Sequence, residues 1–320
     1  MIKPLRLKRG DKIGIISPSG PVGSKDSLKS GIKTLEELGF EIVLGENVFK
    51  EHGVYMAGVD EERVFDLNKM FKNPRIKGIF CSTGGLSSNR LLGLIDYEAI
   101  KKNPKIFMGY SDITILLNAV HEKTGLITFH GENVEYGFSR GFQGRYRNMR
   151  VYFEKALMSN KPIGEIEPFL GPIKILRRGR AEGLLVGGNL EVLKVLIGTE
   201  YEPDWNGKII FWEEFKETPQ DIDFHLTHFR EAGVFDKISG MVIGKLTECR
   251  FPQWLTKAEK KKGLPIEKIV LEICKDFDFP IIMNLPFGHV HPQIVLPIGV
   301  KAQIDTEKSL PFSITEKAVK

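Results

Sequence analysis

The sequence predicts an α/β fold whose first half is built on a parallel β-sheet. Short apolar segments typical of strands alternate with segments whose apolar residues recur at helical spacing. Several of the apolar segments end in loops rich in Gly, Ser or Thr. Strands that alternate with helices favour a parallel sheet covered by helices on both faces. The 320 residues, 42% of them hydrophobic, suffice for two ordinary domains.

The elements of the first half follow in order. Ser24 can begin a helix that Gly39 closes, with Leu28 and Leu35 among its apolar residues. Asp60 can begin a second helix, which Pro74 stops, and a third carries apolar residues between 115 and 120. Strands are predicted at 12–17, 40–44, 77–82, 105–108 and 126–130.

Polar side chains stand where four of these strands end. They are Ser17, Thr83, Tyr110 and His130. In open parallel sheets, ligands bind at the carboxyl ends of the strands. Ser17, Tyr110 and His130 are therefore predicted to contact a substrate, although His130 could instead satisfy a backbone group.

The middle of the chain changes character. Residues 140–180 hold Gly, Arg and Pro in bursts, which predicts a helix near 151–158 followed by an irregular linker. A second unit begins near Ala181, with strands at 208–212, 240–243, 280–283 and 295–304 and helices at 190–197, 221–232 and 266–274. We expect an N-terminal domain at 1–160, a linker at 161–180 and a C-terminal domain at 181–320.

Composition and charge exclude several classes of function. The net charge of +5 comes from 46 basic and 41 acidic residues interspersed along the chain, so no nucleic-acid partner is expected. No segment reaches the roughly 18–20 consecutive apolar residues of a membrane helix. The three cysteines lie far apart and fit neither a disulfide framework nor a metal site. A cytoplasmic protein without membrane attachment is expected.

A candidate nucleophile follows the fourth predicted strand. In Gly109-Tyr110-Ser111-Asp112 the strand runs through Gly-x-Ser into a helix, as in a nucleophile elbow. The helix would point its positive end at the site, and the Asp112 N–H would stabilise an oxyanion. The alternative is a Ser or Asp that caps an ordinary helix.

A second oxyanion donor is predicted in Thr83-Gly84-Gly85. A glycine pair at a strand end can offer backbone N–H groups to an anion, so Gly84 or Gly85 is the candidate. Phosphate binding and a simple tight turn remain alternatives. The glycine spacing matches neither a dinucleotide fingerprint nor a P-loop.

The second half offers a base and an acid. His289 lies in the rigid loop Pro-Phe-Gly-His-Val-His-Pro, which can present an imidazole to a cleft. Glu213 ends the apolar segment Ile-Ile-Phe-Trp, where a partly desolvated carboxylate needs a partner such as histidine. A structural loop histidine and a structural salt bridge are the alternatives. His225 and His228 could bind a metal, but no HExxH glutamate accompanies them, so packing or partner contact is favoured and no metal is expected.

With Ser, Glu and His in this order, the chain resembles the LD-carboxypeptidase family of serine peptidases over nearly its whole length. The matching segments are 10–14, 17–20, 84–89, 105–114, 187–190, 209–214 and 286–289. The family includes muramoyltetrapeptide carboxypeptidase and the microcin C immunity protein. Glu132 departs from the family pattern, which commonly has His-Gly-Pro there, and residues 160–180 are short beside the immunity branch.

The resemblance implies a Rossmann/flavodoxin-like N-terminal domain carrying the nucleophile Ser111. It implies a β-rich, swivelling, barrel-like α/β C-terminal domain carrying the acid Glu213 and the base His289. It further implies a homodimer with no cofactor, which cleaves an L,D amide of a murein peptide such as a terminal D-Ala. Arg90 is predicted to bind the substrate carboxylate. A peptidyl-nucleotide amidase of the immunity type and a non-catalytic small-molecule binding protein are the alternatives.

Overall fold

The computed structural model describes residues 1–320. Its first half contains strands β1 to β5, at Lys12–Ile16, Glu41–Leu44, Ile76–Cys81, Ile106–Gly109 and Thr128–His130. The helices among them are α1 to α4, at Lys25–Glu37, Asp60–Lys72, Tyr97–Lys102 and Ile113–Thr124. Strands β1, β3 and β4 are near-continuous apolar runs because the helices bury both faces of the sheet, whereas the edge strand β2 is partly exposed.

The second half contains more strands than helices. After α5 at Arg147–Phe153, strands β6 to β11 lie at Gly164–Glu165, Lys174–Arg177, Arg180–Asn189, Ile209–Phe215, Gly240–Thr247 and Ile281–Met283. Strands β12 to β14 follow at Leu296–Ile298, Lys301–Asp305 and Phe312–Ile314. Helices α6 to α9 lie at Leu190–Leu193, Pro219–Glu231, Lys257–Lys262 and Ile266–Ile273.

Two sheets organise the chain. The first has the order β12-β5-β4-β3-β1-β2, with β1 to β5 mutually parallel, as the sequence predicts. The second is curled and has the order β6-β14-β13-β8-β9-β10-β11-β7, with four parallel strands at its centre and antiparallel strands at both edges. The α/β prediction with a parallel first sheet and a barrel-like second unit is confirmed.

Two details differ from the sequence prediction. The segment 161–180 was expected to be an irregular linker, but it contributes β6 and β7 to opposite edges of the second sheet. The expected strand at 295–304 is broken at Gly299, whose φ of +85° suits glycine. Its first part, β12, pairs antiparallel with β5 of the first sheet, while β13 joins the second sheet. Short edge strands carry too few residues for a period to be visible in the sequence.

The two sheets share one continuous set of buried apolar side chains. The carboxyl ends of β4 and β9 both border the cleft between the two sheets. No helix has both the length and the apolar character needed to cross a bilayer.

Candidate active site

Ser111 stands at a sharp turn between β4 and α4. Its φ of +65° lies in the left-handed region, which a non-glycine residue adopts only under local constraint. Gly109 makes the turn possible, because a Cβ there would lie 2.9 Å from Ile113 Cγ2 and 3.1 Å from Cys81 Cβ. The Ser111 carbonyl accepts the Thr114 N–H at 2.9 Å, which joins the turn to the first turn of α4.

Glu213 and His289 come from the second half of the chain. Glu213 lies near the end of β9 and is fully buried. His289 lies in the loop between β11 and β12. Its Nδ1 is 2.8 Å from Glu213 Oε2, and its Nε2 is 3.1 Å from Ser111 Oγ. The three side chains therefore form a continuous hydrogen-bonded chain from carboxylate to hydroxyl.

The pKa of the Glu213 carboxyl lies below its ordinary value. Burial acts to raise this pKa, but the charge of His289 and its hydrogen bond outweigh burial. The neighbouring Glu214 behaves differently, because burial and the charge of Glu213 raise its pKa to about 8. Glu213 is consequently an anion at neutral pH, whereas Glu214 is largely protonated there.

Aromatic rings fix the plane of the His289 imidazole. Phe215 stacks on it with ring centroids 4.6 Å apart and an interplanar angle of 6°. Tyr110 packs edge-on with centroids 5.0 Å apart. Gly288 lets the loop approach β9, because a Cβ there would lie 2.8 Å from Glu213 Oε2. These contacts hold the imidazole between the acid and the hydroxyl.

The predicted oxyanion donors surround Ser111. A Cβ on Gly84 would lie 2.8 Å from Ser111 Cβ and 3.0 Å from Ser111 Oγ, so only glycine fits against the hydroxyl. The N–H groups of Asp112, Gly84 and Gly85 make no backbone hydrogen bond. Gly85 has a φ of +151°. The geometry thus leaves N–H donors near the hydroxyl without a backbone acceptor.

The Asp112 side chain has a role that the sequence did not reveal. Its buried carboxylate accepts the N–H groups of Ser87 and Ser88 at 2.9 and 2.8 Å, and the hydroxyl of Ser19. The Ser88 hydroxyl donates to the Asp112 carbonyl at 2.8 Å. Asp112 therefore holds the loop that contains Gly84 and Gly85 against the Ser111 turn.

A second carboxylate supports the loop of His289. Glu132 is buried and accepts a hydrogen bond from His291 Nδ1 at 2.9 Å and from Gln293 Nε2 at 3.2 Å. Gln293 in turn accepts the Gly288 N–H at 3.3 Å. The residue that departs from the family pattern thus anchors both ends of the segment that carries His289.

The hydroxyl faces a cleft of about 690 Å³ between the two halves of the chain. Lys216 is the only lysine or arginine that lines it. The Lys216 ammonium lies 4.8 Å from the centroid of the Phe215 ring. The backbone φ of Lys216 is +65°. The other lining residues are Gly20, Pro21, Tyr55, Thr83, Gly84, Gly85, Leu86, Tyr110, Ser111, Asn133, Tyr136, Phe215, Thr247, Glu248, His289 and His291.

Three of the residues predicted to contact substrate do not reach the cleft. Ser17 is buried, and its hydroxyl donates to the Val48 carbonyl at 2.9 Å. Arg90 is turned to Asp60, which pairs with its guanidinium at 2.9 Å. His130 is fully buried. Substrate contact by these three residues stays a prediction that their placement does not support, whereas Tyr110 lines the cleft.

A hydroxyl, an imidazole and a carboxylate in this order are the arrangement by which serine hydrolases activate a nucleophile. Comparisons with known proteins identify the kind of hydrolase. Residues 13–131 match the LD-carboxypeptidase N-terminal domain, and residues 182–304 match the LD-carboxypeptidase C-terminal domain. The chain belongs to the LD-carboxypeptidase family and is a serine-type carboxypeptidase.

The relatives carry two kinds of name. The "Probable murein peptide carboxypeptidase" of Bacillus subtilis is 34% identical, with 99% of this chain and 97% of the relative covered. Microcin C7 self-immunity protein MccF, solved in complex with aspartyl sulfamoyl adenosine, is 30% identical with a TM-score of 0.87 and all of both chains covered. Muramoyltetrapeptide carboxypeptidase from Oxalobacter formigenes is 26% identical with a TM-score of 0.80, with 96% of this chain and 99% of that chain covered.

Proposed function

We propose that Ser111, His289 and Glu213 are a catalytic triad that hydrolyses an amide through an acyl-enzyme. One observation carries the proposal, namely the unbroken hydrogen-bonded chain of 3.1 and 2.8 Å among three side chains remote in sequence. In this series of hydrogen bonds the His289 Nδ1–H donates to Glu213, which leaves Nε2 free to accept the Ser111 proton. The buried anion Glu213 favours the imidazolium that forms.

The steps follow from this geometry. Ser111 Oγ attacks the carbonyl carbon while its proton passes to His289 Nε2. The N–H groups of Asp112 and of Gly84 or Gly85 stabilise the oxyanion. The C–N bond then breaks as His289 gives the proton to the leaving amine. Water, deprotonated by His289, hydrolyses the ester and restores the Ser111 hydroxyl.

The substrate that fits best is a murein peptide with a terminal L,D amide, from which D-Ala is released. Relatives named for murein peptides support this choice. A carboxypeptidase must also recognise the terminal carboxylate, and Lys216 offers the cation at the cleft that Arg90 does not. The Lys216 ammonium packs on the Phe215 ring, which in turn stacks on the His289 imidazole. We assign the substrate carboxylate to Lys216.

A peptidyl nucleotide is the second candidate substrate, because structures of the similar immunity protein contain such analogues. A cavity of about 380 Å³ adjoins the cleft at His291 and is lined by Arg145 and Arg147, which could accept a phosphate. Turnover of a murein tetrapeptide compared with an aminoacyl sulfamoyl adenosine separates the two substrates. Faster turnover of the adenosine compound would favour the immunity-type activity.

The test of the triad uses Ser111→Ala, with Ser139→Ala as the matched control outside the cleft. Ser111→Ala should lose hydrolysis and labelling by a fluorophosphonate probe while its circular dichroism stays unchanged. Ser139→Ala should keep both activities. Full hydrolysis by Ser111→Ala would end the proposal, and absence of both activities in the wild-type chain would favour a non-catalytic binding protein.

Two further properties belong to this proposal. We expect a cytoplasmic enzyme, in line with intracellular processing of murein fragments, and a homodimer. Cell fractionation tests the first expectation. Light scattering after size-exclusion chromatography tests the second, and a mass near 36.2 kDa would indicate a monomer instead.

A further inference from the structure

His130 and Glu213 both carry buried polar atoms that have no hydrogen-bond partner. Both ring nitrogens of His130 are buried and have no hydrogen-bond partner. Glu213 Oε1 is also buried without a partner, while Oε2 of the same carboxylate receives His289. An unpaired buried polar atom is costly, and an oxygen of a charged carboxylate is especially so.

The fold directs the His130 ring toward Glu213. His130 ends β5 and pairs in register with Gly109 of β4, two residues before Ser111. Its ring packs against Phe211 and Phe287, with centroids 5.5 and 6.1 Å away. Phe211 lies two residues before Glu213 on β9, and side chains two apart on a strand point to the same face. His130 therefore faces Glu213 from the other domain.

Other donors near Glu213 are directed elsewhere. Asn189 lies in register with Glu213, but its Nδ2–H donates to Glu214 Oε1 at 2.7 Å. The Trp212 Nε1–H is buried and unpaired too, but alternation along β9 places Trp212 on the opposite face from Glu213. Tyr110 packs against both His130 and His289, and it lines the cleft. The titratable groups around the His130 ring are thus Tyr110 from the end of β4, Glu213 from β9 and His289 from the loop before β12.

The geometry points to His130 as a positioning residue whose ring N–H holds Glu213 Oε1 through one buried water. The carboxylate is then gripped at both oxygens, so that Oε2 stays aimed at His289 Nδ1. Burial lowers the pKa of His130 to about 4, although the charge of Glu213 opposes this effect. The ring is consequently neutral at neutral pH and supplies one N–H without neutralising the anion that His289 needs.

This role rests on the proposed triad and makes a specific prediction for the pH profile. His130→Phe removes the N–H but keeps an aromatic ring among the phenylalanines, whereas His130→Gln keeps a donor. A charge-assisted hydrogen bond lost at the acid should reduce kcat about tenfold, with KM within about twofold. Without this hydrogen bond the Glu213 carboxylate also attracts the His289 imidazolium more strongly. In the pH profile of kcat, the acid limb, where kcat falls as the pH is lowered, should therefore move to higher pH in His130→Phe. His130→Gln should recover most of the loss.

The outcomes separate this role from packing and from failure of the triad. A kcat and an acid limb unchanged within about twofold in His130→Phe would overturn the inference, as would a loss confined to KM or one that His130→Gln does not recover. Nuclear magnetic resonance of ¹⁵N-histidine-labelled protein tests the contact without relying on activity. The His130 ring N–H signal should shift in Glu213→Gln and persist in Glu214→Gln. An unmoved signal in Glu213→Gln would contradict the contact even if the wild-type chain proved inactive.

Discussion

Replacing Glu213 by Gln removes one charge from the triad and almost no volume. The carboxylate and the imidazolium that forms at His289 are joined by a 2.8 Å hydrogen bond in a site closed to solvent on the acid's side. Two unit charges about 4 Å apart attract by roughly 4 kcal/mol at an effective dielectric constant of about 20. If most of this attraction is realised only when His289 is protonated, Glu213→Gln should lower kcat about 10³-fold.

The amide introduces a second defect that acts in the same direction. A glutamine N–H can donate to His289 Nδ1, which forces the proton onto Nε2 and prevents it from accepting the Ser111 proton. The loss should therefore appear in kcat rather than KM, because the substitution lies behind the imidazole and away from the cleft. The role proposed for the His130 ring N–H would favour the amide oxygen on its side and therefore this wrong orientation.

Steady-state release of D-Ala measures the effect, and Glu214→Gln is the matched control. Glu214 is adjacent and equally buried, but its carboxyl accepts Asn189 Nδ2, Glu191 N and Phe215 N instead of His289. Because Glu214 is largely protonated at neutral pH, Gln resembles the state already present, and kcat should stay within about threefold. If Glu213→Gln retained kcat within tenfold of wild type while folded, the triad electrostatics argued above would be refuted.

Three further predictions concern the surroundings of the triad. The pKa of Glu214 is raised from its ordinary value of 4.5 to about 8 in the folded protein. Between these two pH values the folded chain keeps a proton on Glu214 that the unfolded chain has released. As the pH rises from about 5.5 to 7, the free energy of unfolding of wild type should therefore fall more steeply than that of Glu214→Gln. The difference between the two slopes should be about 1.4 kcal/mol per pH unit. Equal slopes in urea titrations would mean that Glu214 is ionised. Gly84→Ala should lower kcat about 10²-fold because its Cβ displaces the hydroxyl of Ser111, and an active, folded variant would show that the loop yields. Lys216→Met should raise KM about tenfold with kcat little changed, whereas Lys216→Arg should bind nearly normally; equal KM values in wild type and Lys216→Met would remove Lys216 from recognition.

The sequence predicts the first sheet well because its strands are buried on both faces. Segments such as 12–17 and 77–82 are continuous apolar runs bounded by loop residues, and such runs identify central strands directly. Edge strands such as β6 and β7 have two and four residues and half-exposed side chains, so they carry no period. The crossing of β12 into the first sheet is a tertiary pairing that no local pattern encodes.

The candidate site divides in the same way. Ser111, Glu213 and His289 were reached from sequence because each stands at a strand end or beside glycine, and the family pattern joined them. Arg90 and His130 do not line the cleft, and the sequence could not show this because a residue type does not reveal its partner. The partner of Arg90 is the carboxylate of Asp60, at the start of α2. The role proposed for Lys216 could not be predicted, because one lysine among many surface lysines is indistinguishable from the others until the cleft is seen.

The two halves of the chain are joined close to the proposed triad. Thr114 and Asn118 on α4, the helix that follows Ser111, meet the end of β8. Thr114 Oγ1 accepts the Asn189 N–H at 3.0 Å, and Asn118 Nδ2 donates to the Gly187 carbonyl at 2.9 Å. Asn189 lies in register with Glu213 on β9.

Glycine is required at this junction because a Cβ on Gly188 would lie 2.3 Å from Thr114 Oγ1 and its φ is +145°. The helix that orients the nucleophile therefore rests on the strand next to the acid, and two hydrogen bonds fix the spacing between hydroxyl and carboxylate. Since small displacements of reacting groups cost large factors in rate, the Gly-Gly-Asn segment belongs to the positioning of the triad as much as to the packing of the sheet.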